Sequence, residues 1–211
     1  TQQVGLMHKV QKRSPSKYVM PEIQPADTVK PDPAKEARQS KRLEQLAEYL
    51  PKGDPLRGEK LFNDPAKSLC ITCHVKGDKG VDFGPDLTRI GDIRSERDLL
   101  EAIVYPSSTI ARYYELLIVQ KKQGEAAGLL RRDSVDEIVL GLAAGAEQSI
   151  PFKDIKGAKY SNVSLMPEVF DKLLKPEEIA DLVAYLKEAK GPVASVSSEN
   201  MPPHHAIDLP G

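Results

Sequence analysis

Cysteine occurs twice in the chain, and both copies fall in one string, Cys70-Ile71-Thr72-Cys73-His74. Two thiols at this separation on one helical turn, followed at once by an imidazole, suit covalent attachment of a haem. Each S–H adds across a vinyl group to leave a thioether, and the thiol spacing matches the vinyl spacing. His74 then lies under the iron and offers a ring nitrogen as proximal axial ligand. Other chemistry needs other surroundings. Dithiol redox chemistry uses Cys-x-x-Cys without the histidine and sits after a strand in a βαβ unit, a pattern this sequence lacks. A zinc site needs a second ligand pair, and His204-His205 are adjacent residues, ill suited to converge on one tetrahedral ion. A structural disulfide across so short a loop gains little.

Six-coordinate iron needs a second axial donor, and the candidates are Met7, Met20, Met166, Met201, His8, His204 and His205. Met166, in Ser164-Leu165-Met166-Pro167-Glu168, lies in a loop ahead of a helix opened by Pro176, where the chain can cross the distal face. Pro167 stiffens that loop. A methionine beside proline has no helical face to fill, so coordination through its soft sulfur is favoured over core filling. Met20-Pro21-Glu22 and Met201-Pro202 echo the motif and are read as accidents of a Pro-rich chain.

The rest of the chain must position these residues. With 211 residues, 40% of them hydrophobic and 29% charged, the composition is that of one sizeable soluble domain with extra segments. No apolar run approaches the roughly 18 to 20 residues that a bilayer demands. A net charge of −1 excludes the concentrated positive field of a nucleic-acid binder. Aromatic residues make up 5% and Trp is absent, so the core is aliphatic or is completed by something other than protein.

Residues 1–35, with Pro15, Pro21, Pro25, Pro31 and Pro33, read as an extended arm without the charged start, apolar centre and cleavage site of an export signal. Residues 36–53 hold an amphipathic helix, with Leu43, Leu46, Ala47 and Leu50 at helical spacing, and a linker. A domain over 54–191 opens with a helix capped by Asp54 with Pro55 at its first position. A Gly-rich loop follows over 75–91, and Ser95 caps a helix with Leu99, Leu100, Ile103 and Val104 on one face. Short apolar or alternating runs over 113–120, 125–131 and 136–142, extending through 150–155, predict a small antiparallel β insertion at about 112–160. A last helix runs from Pro176 to Gly191-Pro192, and a Pro-containing tail occupies 192–211. The expected class is mainly α.

This order resembles a class I cytochrome c: a helix with Gly58 and Phe62, the Cys-Ile-Thr-Cys-His string, Gly84-Pro85-Asp86-Leu87, a methionine loop, and a final helix with Tyr185. The resemblance covers about residues 54–190. It implies a helical haem fold, with the β insertion between the third haem-domain helix and the methionine loop. It also implies one haem c bound through Cys70 and Cys73, with His74 and Met166 as axial ligands. In this superfamily the Pro85 position accepts, through its carbonyl, the proton on the far nitrogen of the axial histidine, which fixes the ring and raises its donor strength. Phe62, Leu87 and Tyr185, with Leu61, Leu182 and Val183, would line the haem or the crossing of the first and last helices. Arg94, with Arg89 as rival, would reach a haem propionate.

Closer still is the Planctomycete-type haem-binding domain, often the terminal module of large exported dehydrogenase-like proteins. The chain is similar to it in Gly84-Pro85-Asp86-Leu87-Thr88, in the stretch from Asp98 to Pro106, in the β insertion, in Asp154-Ile155 and in Ser164-Leu165-Met166-Pro167. That family's insertion accounts for the long separation of His74 from Met166. The chain departs from its pattern at Val169, where glycine is expected.

A haem held by histidine and methionine has no open coordination position, so one-electron transfer is the expected task, at a potential raised by the thioether. The expectation is an electron-transfer protein rather than an enzyme. A readily displaced Met166 would instead permit catalytic or gas-binding chemistry, and a third reading makes the chain a docking subunit with an embedded relay haem. Extended Pro-rich segments stay disordered unless held. The arm and tail are therefore expected to contact redox proteins in a larger assembly, with no nucleic acid involved. Lys67, Lys76 and Lys79 alternate with Asp64, Asp78 and Asp82, so no single-sign patch identifies the partner. Covalent haem attachment takes place outside the cytoplasm, so the resemblance implies a periplasmic or otherwise extracytoplasmic location.

Overall fold

A computed structural model describes residues 18–188. Residues 1–17 of the expected arm and the 192–211 tail lie outside the described residues, as do Met7, His8, Met201, His204 and His205. In chain order the elements are β1 (Ile23–Gln24), α1 (Pro33–Ala47), α2 (Pro55–Phe62), β2 (Val75–Lys76), β3 (Lys79–Gly80), α3 (Ile90–Ile93), α4 (Glu96–Val104), β4 (Leu116–Lys121), β5 (Glu125–Asp133), β6 (Glu137–Gly141), β7 (Glu147–Pro151), β8 (Ile155–Tyr160), α5 (Phe170–Leu173) and α6 (Pro176–Lys187).

Capping chemistry sets where the helices start. Asp32 accepts from the amides of Ala34 and Lys35, both at 3.1 Å, so α1 begins before its apolar pattern does. Asp54 does the same for Leu56 and Arg57 at the head of α2. Ser95 and Asp98 cap α4 reciprocally, each side chain accepting from the other's amide at 3.1 Å.

The described residues are 37% helix and 22% strand, and the strands form a six-stranded mixed sheet and a two-stranded one. This overturns the expected mainly α class with a small β insertion. The larger sheet, ordered β1-β8-β4-β5-β6-β7, is a second structural body with its own core of Leu117, Val119, Ile138, Leu140 and Ile150. It outgrew the expectation for two physical reasons. Past residue 150 the chain turns through Phe152–Asp154 and so yields two strands, β7 and β8, where one run was read. The Pro-rich segment also supplies β1, whose two residues pair in parallel with Ala158 and Lys159. So short a strand carries no periodicity that a sequence pattern could announce. Asn162 Nδ2 donates to the Asp27 carbonyl at 2.6 Å, and Lys159 pairs with the Asp27 carboxylate, which ties this segment to the sheet. Met20 packs against the same core.

The helical body is organised by the crossing of α2 and α6. A Cβ on Gly58 would lie 2.0 Å from the Asp181 carbonyl oxygen, so the two backbones touch. Beside this contact Arg57 donates through Nε and Nη2 to the two carboxylate oxygens of buried Asp181, each at 2.7 Å. The Asp54 amide donates to the same carboxylate at 2.7 Å, so the buried charge is both paired and hydrogen-bonded. Phe62 and Tyr185 meet as a tilted ring pair with centroids 5.5 Å apart. Leu43 and Leu46 of α1 and Leu100 and Ile103 of α4 complete this core, and Arg42 grips Asp171 of α5 through Nε and Nη2 at 3.0 and 2.7 Å. At the C-terminal end of α6, where cations are favoured, Lys76 Nζ donates to the Glu188 carbonyl at 2.7 Å. Among the described residues no helix is long and apolar enough to cross a membrane.

Two outcomes follow. Gly58→Ala is expected to force α2 and α6 apart and to cost about 3 kcal/mol in denaturant unfolding; a change within roughly 0.5 kcal/mol would mean that the backbones are not in contact. Three helix-start carboxylates are also held below their usual range: Asp54 by the Arg57 amide, Asp98 by the Ser95 hydroxyl, and Glu178 by the Lys67 ammonium. The unfolded chain therefore takes up these protons first. Their stabilisation is present above about pH 4 to 5 and is lost as pH falls through the folded values. Asp98→Asn should flatten part of that acid limb in circular-dichroism titrations.

Candidate functional site

The end of α2 runs directly into the cysteine motif. The buried Ser68 hydroxyl donates to the Leu61 carbonyl at 2.6 Å, and the Cys70 amide reaches the same hydroxyl at 3.4 Å. Leu69 then adopts a left-handed backbone with φ of 61°, a conformation most non-glycine residues avoid. Cys70–Thr72 form a single tight helical turn, and the amides of Cys73 and His74 both donate to the Cys70 carbonyl, at 3.1 and 3.0 Å. Both cysteines are free and half-buried. Burial pushes the Cys70 thiol up and keeps it protonated at neutral pH, the opposite of the reactive thiolate that dithiol redox chemistry needs.

His74 Nδ1 lies 2.8 Å from the Pro85 carbonyl oxygen. A carbonyl can only accept, so Nδ1 carries the proton, and Nε2 keeps its lone pair free for a metal. Burial pushes the imidazole pKa down, with the Pro85 bond acting against it, and the ring is neutral at pH 7. Gly84 allows this approach: a Cβ there would lie 2.7 Å from His74 Cε1 and 2.9 Å from Nδ1. The loop is pinned in turn, since the Gly84 and Phe83 amides donate to the Cys73 carbonyl at 2.5 and 3.2 Å.

His74, Cys70 and Met166 line the same cleft, with a cavity volume of ≈ 240 Å³. Its apolar walls come from Phe62 of α2, Leu87 of the Gly-Pro loop, Leu99 and Ile103 of α4, and Leu182 and Leu186 of α6. Met166 is half-buried against the helical core. Its amide donates to the Ser164 hydroxyl at 3.1 Å, and the Ser164 amide donates to the Ser107 hydroxyl at 3.1 Å, so the methionine loop is fastened to the chain leaving α4. Pro85 and Leu87 line the cleft, and Arg94 stands at it with its side chain exposed. Arg89 is engaged with Asp92.

Four expected residues stand outside the lining, Leu61 and Val183 in the helical core and two more beside the cleft. Cys73 is outside the lining, and Tyr185 packs behind Phe62 with Lys76 Nζ 4.9 Å above its ring, so it supports a wall rather than facing the cavity. Sequence reasoning also missed the stretch after α4, where Tyr105, Ile110 and Tyr114 line the cleft. Tyr105 is the C-cap of α4, on the side of Glu101 and Ala102 and not on its apolar face, and Tyr114, read as part of the run over 113–120, lies in the loop before β4.

A haem requires apolar walls, neutral nitrogen and sulfur donors, and thiols to anchor it. The cleft offers aliphatic side chains, an imidazole with a free Nε2, a thioether and a protonated thiol, and this donor set suits that group. It does not suit a hard cation that takes oxygen ligands. Among the described residues no group of three or more His, Cys, Asp or Glu side chains gathers as metal ligands, so a tetrahedral zinc set is not assembled there. The chain matches no protein-family model and no curated protein.

Gly84→Ala should leave the fold intact while breaking the bond between His74 Nδ1 and Pro85. Nitrogen NMR of the His74 ring would then lose its protected Nδ1–H signal, and a retained signal would show that the loop has room for a side chain.

Proposed function

We propose that the chain is a mono-haem c-type cytochrome that passes single electrons, with Cys70 and Cys73 as thioether anchors and His74 and Met166 as the axial ligands of one haem c. The observation that carries this reading is the shared cleft, where an imidazole fixed by Pro85, the Met166 thioether and the Cys70 thiol meet among aliphatic walls. Bound there, a haem supplies one-electron exchange between ferric and ferrous iron. His74 keeps its ring oriented, and stays a strong donor, by giving its Nδ1 proton to the Pro85 carbonyl. The soft sulfur of Met166 favours the reduced state and raises the potential. Phe62, Leu87, Leu99 and Leu182 keep water out, and Arg94 is available at the cleft for a propionate. With His74 and Met166 both holding the iron, the haem would have no open position for a substrate, and electron transfer would be its task. Redox proteins are the partners, in a larger assembly outside the cytoplasm, where covalent haem attachment takes place.

Expression alongside a cytochrome c maturation system tests the reading. The protein is expected to retain haem on a denaturing gel, and Cys70→Ala or Cys73→Ala to lose one of the two thioethers. The oxidised spectrum should carry the weak thioether-to-ferric band at its red edge, and Met166→Ala should abolish it. A band that survives in Met166→Ala puts the sixth ligand elsewhere. Rapid carbon monoxide binding by the reduced protein would replace electron transfer with the gas-binding or catalytic alternative.

A further inference from the structure

A side chain from the sheet reaches the loop that holds His74. Arg131 on β5 donates through Nη2 to the Phe83 carbonyl at 3.0 Å and the Asp82 carbonyl at 3.3 Å, and its guanidinium carbon lies 5.4 Å from the centroid of the Phe83 ring. Phe83 is buried, and the residues directly after it, Gly84 and Pro85, are those that approach and hydrogen-bond the imidazole.

Two features of the sheet direct Arg131 to this spot. The pairing of β5 with β6 shifts register between Leu130 and Arg132, a bulge that takes Arg131 out of the ladder. Bulges of this kind re-aim a side chain and recur beside functional sites. Across the pair, Gly141 leaves a lane open: a Cβ there would lie 2.7 Å from Arg131 Nε and 2.9 Å from Cγ. The charge also reaches the cleft wall, because Tyr114 is pushed up by burial and by Asp82 while Arg131 pulls it down.

We propose that Arg131 is a positioning residue for His74: by holding the Asp82 and Phe83 carbonyls, it keeps the Pro85 carbonyl against Nδ1. This rests on the haem reading above and gives the sheet a task within it, since the donor strength of the axial histidine then depends on a residue of β5.

Hydrogen exchange followed by NMR on the full chain tests the clamp. In Arg131→Met, which keeps the apolar stem beside Gly141, the Phe83 and Gly84 amides and the His74 Nδ1–H should exchange at least about tenfold faster, while the amides of β4 to β8 stay within about twofold of wild type. Arg131→Lys, which keeps a cationic donor but not the planar fork, should restore part of that protection. Unchanged exchange at Phe83, Gly84 and His74 in Arg131→Met overturns the proposal. So does a loss spread evenly over β4 to β8, which would make Arg131 a plain support of the sheet. The measurement needs no bound haem, so a chain that takes up none defeats the electron-transfer reading and still decides the clamp.

Discussion

The missing side chain at Gly58 is the constraint on which the helical body depends. With no Cβ in the way, α2 lies against the Asp181 carbonyl of α6, and the polar groups around that point close on it from α2 and from its cap. The consequence runs in both directions along α2. Toward its start, Asp54 and Arg57 satisfy the buried Asp181 carboxylate; toward its end, Phe62 packs on Tyr185 and also lines the cleft. The chain then passes through Ser68 to the cysteine turn. Leu182 and Leu186, on α6, therefore stand at a distance from His74 that this one helix crossing sets.

Much of the helical body was legible in the sequence because its signals are local. Asp54-Pro55, Ser95 with Asp98, and Pro176 each mark a helix start by capping chemistry that acts within a few residues. The cysteine string and Gly84-Pro85 were equally local, and the structure brings His74 within 2.8 Å of the Pro85 carbonyl. Met166 was chosen for its soft sulfur and its place in a Pro-stiffened loop, and it lies in the same cleft as His74. What could not be read depends on contacts far apart in the chain. The parallel pairing of Ile23 with Ala158 has no sequence signature, and the wrong fold class followed from weighing the sheet without it and with β7 and β8 taken as one run. Tyr185 was expected, from the resemblance, to line the haem or the crossing of the first and last helices, and it packs on Phe62 at that crossing, behind the cleft wall. Val169, where the related pattern has glycine, adopts φ of −127°, outside the left-handed region that favours glycine.

The sheet and the helical body keep separate apolar cores, and two polar contacts fasten the loops at the cleft: Arg131 of the sheet to the loop before Gly84, and Ser164 of the methionine loop to Ser107 after α4. Each ends beside a prospective axial ligand, one at the histidine and one at the methionine. Directional hydrogen bonds fix geometry more sharply than apolar contact does, and a site whose donor atoms must be held in orientation benefits from that difference.

The strand pairing at the start of the described chain also sets an order of assembly. β4, β5, β6 and β7 join neighbours along the sequence and can form by short loop closures, whereas β8 must return to β4, Ile23 must wait for Ala158 and Gly58 for Asp181. During synthesis at ~5–20 residues per second, the segment around Ile23 stays unpaired for roughly ten seconds before its partner strand exists. Synthesis order and pairing order therefore run in opposite directions. Once β8 has paired with β4, its other edge is covered by the segment around Ile23, which was made well before it.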